Sequence, residues 1–262
     1  MSCVSIIMPC YNSAQFIDEA VCSVINQSYL DWELLICDDE STDGSKQIAE
    51  GWAKKDPRIQ VLQNRFKKGA PGARNTCLSA AQGRYIAFLD SDDVWLPNKL
   101  EAQLRFMEYT KAPFVFGYCE NMSEQGVPLS TTKSPSEISF RKLLLSNFIP
   151  CLTVIYDTKK LGKVLQPSTE KRNDFALWLS ILKHNKNLIA RCYPDIVARY
   201  RVNHYGLSAG KLSAIRYFYW CIRQYAGLGT FTATFFTMAA VTFKVLKTLS
   251  PSLYNVIVTK IL

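Results

Sequence analysis

The sequence has no acidic residue after Asp195, no Cys-x-x-Cys pair and no basic opening segment followed by a long apolar core. Each shortage removes a class of protein. The nine cysteines are an odd number scattered singly along the chain. They read as reduced small hydrophobes of a cytoplasmic protein, neither a disulfide frame nor a zinc site. The opening Ser2-Cys3-Val4-Ser5-Ile6-Ile7 does not read as a secretory signal. No internal repeat or low-complexity tract is present. The missing acids leave the charge lopsided: of the net +9, the stretch after Asp195 carries +8 and residues 1–195 only +1. Such an imbalance predicts a negatively charged partner near the C-terminal end. These basic residues accompany apolar ones and form no polar groove, which argues against nucleic acid. With 262 residues and 48% hydrophobic content, the chain can bury one large core with small appendages.

Apolar runs at 4–8, 32–37, 58–62, 84–89 and 114–118 read as strands. Between them, helical spacing covers 16–25, 43–55, 72–82 and 97–111, with Thr42 or Asp43 as a cap for the second and Pro97 near the first turn of the fourth. This alternation predicts an α/β fold with a mainly parallel sheet covered on both faces. Residues 120–150 are polar and turn-rich and give no clear pattern. A further helix is expected over 174–184, and 211–262 reads as a strongly apolar helical extension.

Ligands of such sheets bind beyond the carboxyl ends of the strands. Polar clusters fall there: Pro9 to Asn12, Asp38-Asp39, and Asp90 to Asp93. Asp90-Ser91-Asp92-Asp93 packs three mutually repelling carboxylates into four residues. A divalent ion held by one or two of them and by substrate phosphates would relieve that repulsion and stabilise a leaving diphosphate. The same tetrapeptide also suits a solvated, helix-capping loop. Asp38-Asp39-Glu40-Ser41-Thr42-Asp43-Gly44 suits a turn and cap, or a carboxylate site for a nucleobase N–H.

Four segments, taken in order, resemble family 2 glycosyltransferases. Val4 to Asn12 resembles their opening strand, and Trp32 to Gly44 resembles their Asp-Asp-x-Ser-x-Asp-Gly motif. Gly72-Ala73-Arg74-Asn75 is similar to their Ala-Arg-Asn helix start, and Phe88 to Asp93 to their Asp-x-Asp metal motif. The likeness is close over the first half and looser to about residue 205. It implies a GT-A fold, with residues 1–120 binding a nucleotide-sugar, 121–210 binding the acceptor and carrying the base, and 211–262 associating with membrane. It also implies that Pro9, Tyr11, Asn12, Asp38 and Asp39 surround the base, that Lys68 and Arg74 lie near the sugar nucleotide, and that Asp90 and Asp93 lie near ribose and donor sugar. Asp92 is the first metal ligand implied, for Mn²⁺ or Mg²⁺, with Asp93 as rival and His204 as a further ligand. Arg201 is expected near the metal or diphosphate.

Inverting transfer needs a carboxylate to take the acceptor hydroxyl's proton. By the resemblance that base is Asp174, in Asn173-Asp174-Phe175-Ala176-Leu177-Trp178. Asn173 stands where the family commonly has Glu, and either Asn173 or Asp174 would also suit a helix cap. Asn173 and Trp178 are expected to touch the acceptor. Tyr225 to Phe243 holds nineteen consecutive uncharged residues between Arg223 and Lys244, diluted by two glycines and five threonines. This suits helices lying in an anionic bilayer surface first, a packed or dimer helix second and a span third. The expected activity is transfer of a sugar from a nucleotide-sugar, UDP-linked by the resemblance, to a lipid-linked or polysaccharide acceptor at the inner face of a bacterial plasma membrane. Two alternatives remain. One is an idle nucleotide-sugar-binding adaptor, against which Asp92, Asp93 and Asp174 argue. The other is a sugar nucleotidyltransferase, whose Gly-rich basic loop is missing after the first strand.

Overall fold

Val4–Cys10 forms strand β1, and every residue of it is buried. Alternate side chains explain this, because Ile6 and Met8 point into one core and Ile7 into another on the opposite face. The computed structural model describes residues 3–169, 171–185, 187–202 and 211–250. Its strands are β1, β2 (Trp32–Asp38), β3 (Ile59–Gln63), β4 (Tyr85–Phe88), β5 (Val94–Trp95), β6 (Phe114–Met122), β7 (Pro128–Thr132), β8 (Glu137–Ser139), β9 (Ile155–Asp157) and β10 (Ile189–Arg201). They join one sheet in the order β3-β2-β1-β4-β9-β6-β10-β5, with β7 beside β6 and β8 beside β10. Strands β3, β2, β1, β4, β6 and β10 run one way. The mainly parallel α/β sheet of the GT-A type is therefore present.

One face is covered by α1 (Ile17–Ile25), α2 (Ser45–Lys55) and α4 (Lys99–Thr110). The other is covered by α3 (Ala70–Ala80) and, after the short α5 (Phe140–Leu143) and α6 (Thr158–Leu161), by α7 (Asn173–His184). Then α8 (Lys211–Cys221), a π-turn (Ile222–Ala226) and α9 (Thr230–Leu249) pack on α7. Phe175 of α7 stacks on Phe218 of α8 at 4.7 Å between ring centres.

Several expected boundaries move. The cap of α2 is Gly44, whose φ of 93° a side chain rarely adopts, not Thr42 or Asp43. Helix α7 starts at Asn173 after a left-handed Arg172, so neither Asn173 nor Asp174 is the cap residue. Helix α4 begins two residues after Pro97. The strands β7, β8, β9 and β10 gave no readable sequence pattern, and β10 is the longest in the sheet.

Lys99 is buried at the start of α4 with its ammonium 4.3 Å from the Trp95 ring centre and bonded to Gln103 Oε1 at 2.7 Å. Burial without a carboxylate partner holds its pKa well below the ordinary lysine value. The folded protein therefore binds that proton more weakly than the unfolded chain, and stability rises with pH wherever the fold has released it while the unfolded lysine, pKa about 10.4, still holds it. Lys99→Met removes this slope. Urea unfolding at pH 6, 7.5 and 9 should show the variant gaining on the wild type as pH falls; parallel curves would refute it.

Candidate active site

The metal-type loop follows β4 and is held from three sides. Leu89 N–H donates to Ile7 O at 3.1 Å, and Asp93 N–H to Asp90 O at 3.1 Å. The Ser91 hydroxyl donates to Ser13 Oγ at 2.8 Å. From the end of β10, Arg201 N–H donates to Asp93 Oδ1 at 2.8 Å. The Arg201 guanidinium donates to Asp92 O at 2.8 Å and pairs with Glu19, over the Phe16 ring. It is a buried clamp behind the loop, and the expectation that it meets metal or diphosphate is corrected. Asp93 is buried beside it, at 1% exposure, with Oδ1 accepting the Arg201 N–H. Arg201→Met strands buried carbonyl oxygens and should cost about 3 kcal/mol in urea unfolding, with transfer falling as the loop loosens.

Arg74 comes from α3 and lies almost wholly buried against Asp90, with which it forms an ion pair. Its Nη1 donates to Gln166 Oε1 at 3.3 Å. Asn75 fixes the same segment by donating to Gln166 O at 2.9 Å and accepting Gln166 N–H at 2.6 Å. Burial and the neighbouring Asp90 charge push the Asp92 pKa up to about 6, against the lowering pull of Arg201 and Arg74. Asp90 and Asp92 repel one another across this loop, a repulsion that a divalent cation would relieve. Among the described residues, no group of three or more His, Cys, Asp or Glu is arranged to hold a metal. An ion here would lean on Asp92, with Asp90 near, and take its other ligands from diphosphate oxygens and water. His204 lies outside the described residues.

Asp174 opens α7, and its Oδ2 accepts Asn147 Nδ2–H at 2.8 Å. Its charge, like that of Asp90, helps to hold the buried Arg74 guanidinium protonated. The Tyr200 hydroxyl, pushed up first by burial, feels Asp93, Asp90, Asp92 and Asp174 together. Cys151 sits in the same field, and burial pushes its thiol far up, so it stays protonated and is no nucleophile. Asn173 is buried and accepts a hydrogen bond from the Thr169 hydroxyl. Trp178 is corrected outright: it is fully buried, edge-on to Phe88 and Phe114 at 5.6 and 5.3 Å, and belongs to the core, not to an acceptor surface. Asn147, Cys151 and Gln166 were missed. The first lies in the patternless 120–150 stretch, and no motif marks the others.

The nucleotide-type residues gather at the ends of β1 and β2. The Tyr11 ring is 53% exposed, with Lys68 Nζ 5.3 Å from its centre and bonded to Glu40 at 2.6 Å. An open aromatic face suits base stacking. Asn12 ties the strand ends together, its Oδ1 accepting Thr42 N–H at 2.9 Å. Pro9 is buried in β1 two residues past the last pairing with β4 at Ile7, where a missing N–H leaves that side of the ladder intact. Asp39 accepts Asn64 Nδ2–H at 2.6 Å and Gly69 N–H at 2.7 Å, so it braces the loop ahead of α3. Asp38 accepts Ser41 N–H, while its buried Oδ1 has no partner and suits an incoming N–H. Gly72 explains its own motif, because a Cβ there would lie 1.9 Å from Lys67 O. A recess of about 330 Å³ adjoins Asp38, lined also by Glu40, Ser41 and Gln63, but not by Asp90, Asp92 or Asp174.

Known proteins are similar to this chain in sequence and in fold. Residues 5–162 match the family model described as Glycosyl transferase family 2. The chain is 40% identical over 228 residues, 87% of it and 86% of the relative, to WfgD of Escherichia coli, a UDP-Glc:alpha-D-GlcNAc-diphosphoundecaprenol beta-1,3-glucosyltransferase. Among solved structures, residues 1–349 of S. aureus TarS in complex with UDP-GlcNAc superpose with a TM-score of 0.68 at 22% identity, covering 97% of this chain and 76% of that TarS fragment. The mannosyltransferase PcManGT of Pyrobaculum calidifontis, in complex with GDP-Man and Mn²⁺, gives 0.65 at 16% identity, covering 97% and 77%. At these identities the two structures speak for the fold alone.

Proposed function

The chain belongs to glycosyl transferase family 2, and we propose that it transfers a hexose, with inversion, from a UDP-sugar to a lipid-linked saccharide during synthesis of a bacterial surface polysaccharide. The observation that carries this reading is the placement of Asp174, at the opening of α7, in one electrostatic field with the Arg74–Asp90 pair and Asp92. The product class follows WfgD, a glucosyltransferase that joins a β-glucosyl group to a diphosphoundecaprenol-linked sugar. Such an acceptor brings the enzyme to the inner face of the plasma membrane.

In this reading the base stacks on Tyr11 and donates an N–H to the Asp38–Asp39 end of β2. Lys68 and Arg74 lie beside the sugar nucleotide, and Asp90 is held by Arg74 near ribose and donor sugar. Mn²⁺ or Mg²⁺ at Asp92 would supply charge neutralisation for the diphosphate as it leaves. Asp174 accepts the proton of the acceptor hydroxyl, whose oxygen bonds to the anomeric carbon as the bond from that carbon to the β-phosphate oxygen breaks. Asn147 orients the carboxylate by its hydrogen bond to Oδ2.

The test is nucleoside diphosphate release from a panel of nucleotide-sugars with membrane lipid extract as acceptor, with Mn²⁺ or with EDTA. One UDP-sugar should release UDP only with metal. Tight nucleotide binding without release from any donor would favour an idle adaptor, and no binding would overturn the reading.

A further inference from the structure

Helix α9 is apolar on opposite sides, but the body of the protein covers only one of them. Ala233 and Thr237 are buried, and Phe236 and Ala240 pack against the core shared with α7 and α8. On the other side Phe231, Phe235, Met238, Val245 and Leu249 are exposed, Phe231 by 93% and Leu249 by 78%. Their spacing of four, three, seven and four residues draws one line along about 27 Å of helix surface, with Thr242 in the gap. A helix apolar on both sides is normally covered on both. Among the described residues, no helix is long and apolar enough to cross a membrane. The stripe therefore needs a cover that lies along the helix.

We propose that the outward face of α9 lies in the interface of an anionic bilayer. Charge selects this occupant. The chain from Lys211 onward carries six basic residues and no acidic one. Arg216 and Arg223, on the elements leading into α9, are exposed, as are Ile215 and Trp220. A second copy meeting the same face would bring the same positive charge against it. An anionic lipid surface attracts the basic residues and accepts the apolar stripe, with Trp220 suited to the headgroup level. The proposal deepens the proposed function by naming the surface that meets the lipid-borne acceptor's membrane, although its own support is the surface of α9.

The test is flotation of the full chain with phosphatidylglycerol–phosphatidylcholine vesicles and with phosphatidylcholine vesicles. The variants are Phe231→Ser/Phe235→Ser/Met238→Ser and, separately, Arg216→Gln/Arg223→Gln. Wild type should float with the anionic vesicles, and both variants should lose at least tenfold of that partitioning. The melting temperature of the triple variant should stay unchanged, because the altered side chains are exposed. Turnover on a short-chain, water-soluble acceptor should also be unchanged in the triple variant. Failure of that turnover in wild type would count against the glycosyltransferase reading, while flotation decides the surface separately. Undiminished flotation of the triple variant would overturn the proposal. So would equal flotation of wild type with neutral vesicles, or a wild-type dimer that the triple variant dissolves.

Discussion

Asp174→Ala lowers kcat by about 10² to 10⁴-fold, the usual contribution of a positioned general base. The fold survives, because the carboxylate is only partly buried at the first turn of α7, where it accepts a hydrogen bond from Asn147. KM for the donor should change little, since the nucleotide-type residues come from β1, β2 and α3. Asp174→Asn is the sharper variant: the amide oxygen can still accept from Asn147, while the group can no longer take a proton. Steady-state kinetics on both variants, beside their melting curves, provide the check. Near-normal turnover by Asp174→Asn would remove it as base.

Asp92→Ala should cut metal-dependent transfer at least about 10²-fold, because a metal at the leaving diphosphate contributes several kcal/mol. The same variant should stabilise the metal-free protein at neutral pH, and the sign follows from its environment. Burial and Asp90 raise the Asp92 pKa to about 6, against about 3.9 in an unfolded chain. The fold therefore prefers the protonated form. Its penalty is absent below pH 4, grows as pH rises towards 6 and is constant above. Melting in EDTA should show Asp92→Ala gaining over that window, to about 3 kcal/mol at pH 7. Loss of stability at pH 7 with undiminished turnover would mean that Asp92 is a structural residue.

Much of this was readable before any coordinates. The apolar runs at 4–8 and 32–37 announced strands buried on both faces, because a parallel sheet covered by helices leaves no polar face to alternate with. The acidic clusters then stood at strand ends, where local sequence alone fixes position, and Gly72-Ala73-Arg74-Asn75 marked a helix start. The 120–150 region was opaque for an equally physical reason. Strands β7 and β8 lie beside β6 and β10 as short outer pairs, and β7 is largely exposed, so little hydrophobic period is written into them.

Sequence by itself determined the class of the fold, the strand-end position of the carboxylates and the lopsided charge of the tail. These are local quantities, set by spacing and composition. Only tertiary structure decided which acids turn inward. Asp92 and Asp93 are neighbours in a run of carboxylates, yet Asp93 turns back to meet an N–H from β10, over 100 residues away. Trp178 lies four residues past Asp174 on the same helix, but the sheet covers it with Phe88 and Phe114. Likewise, α9 is apolar all round in sequence, and only packing on α7 and α8 separates its covered side from its open one. Residue type sets what a side chain can do; long-range contacts set what it touches.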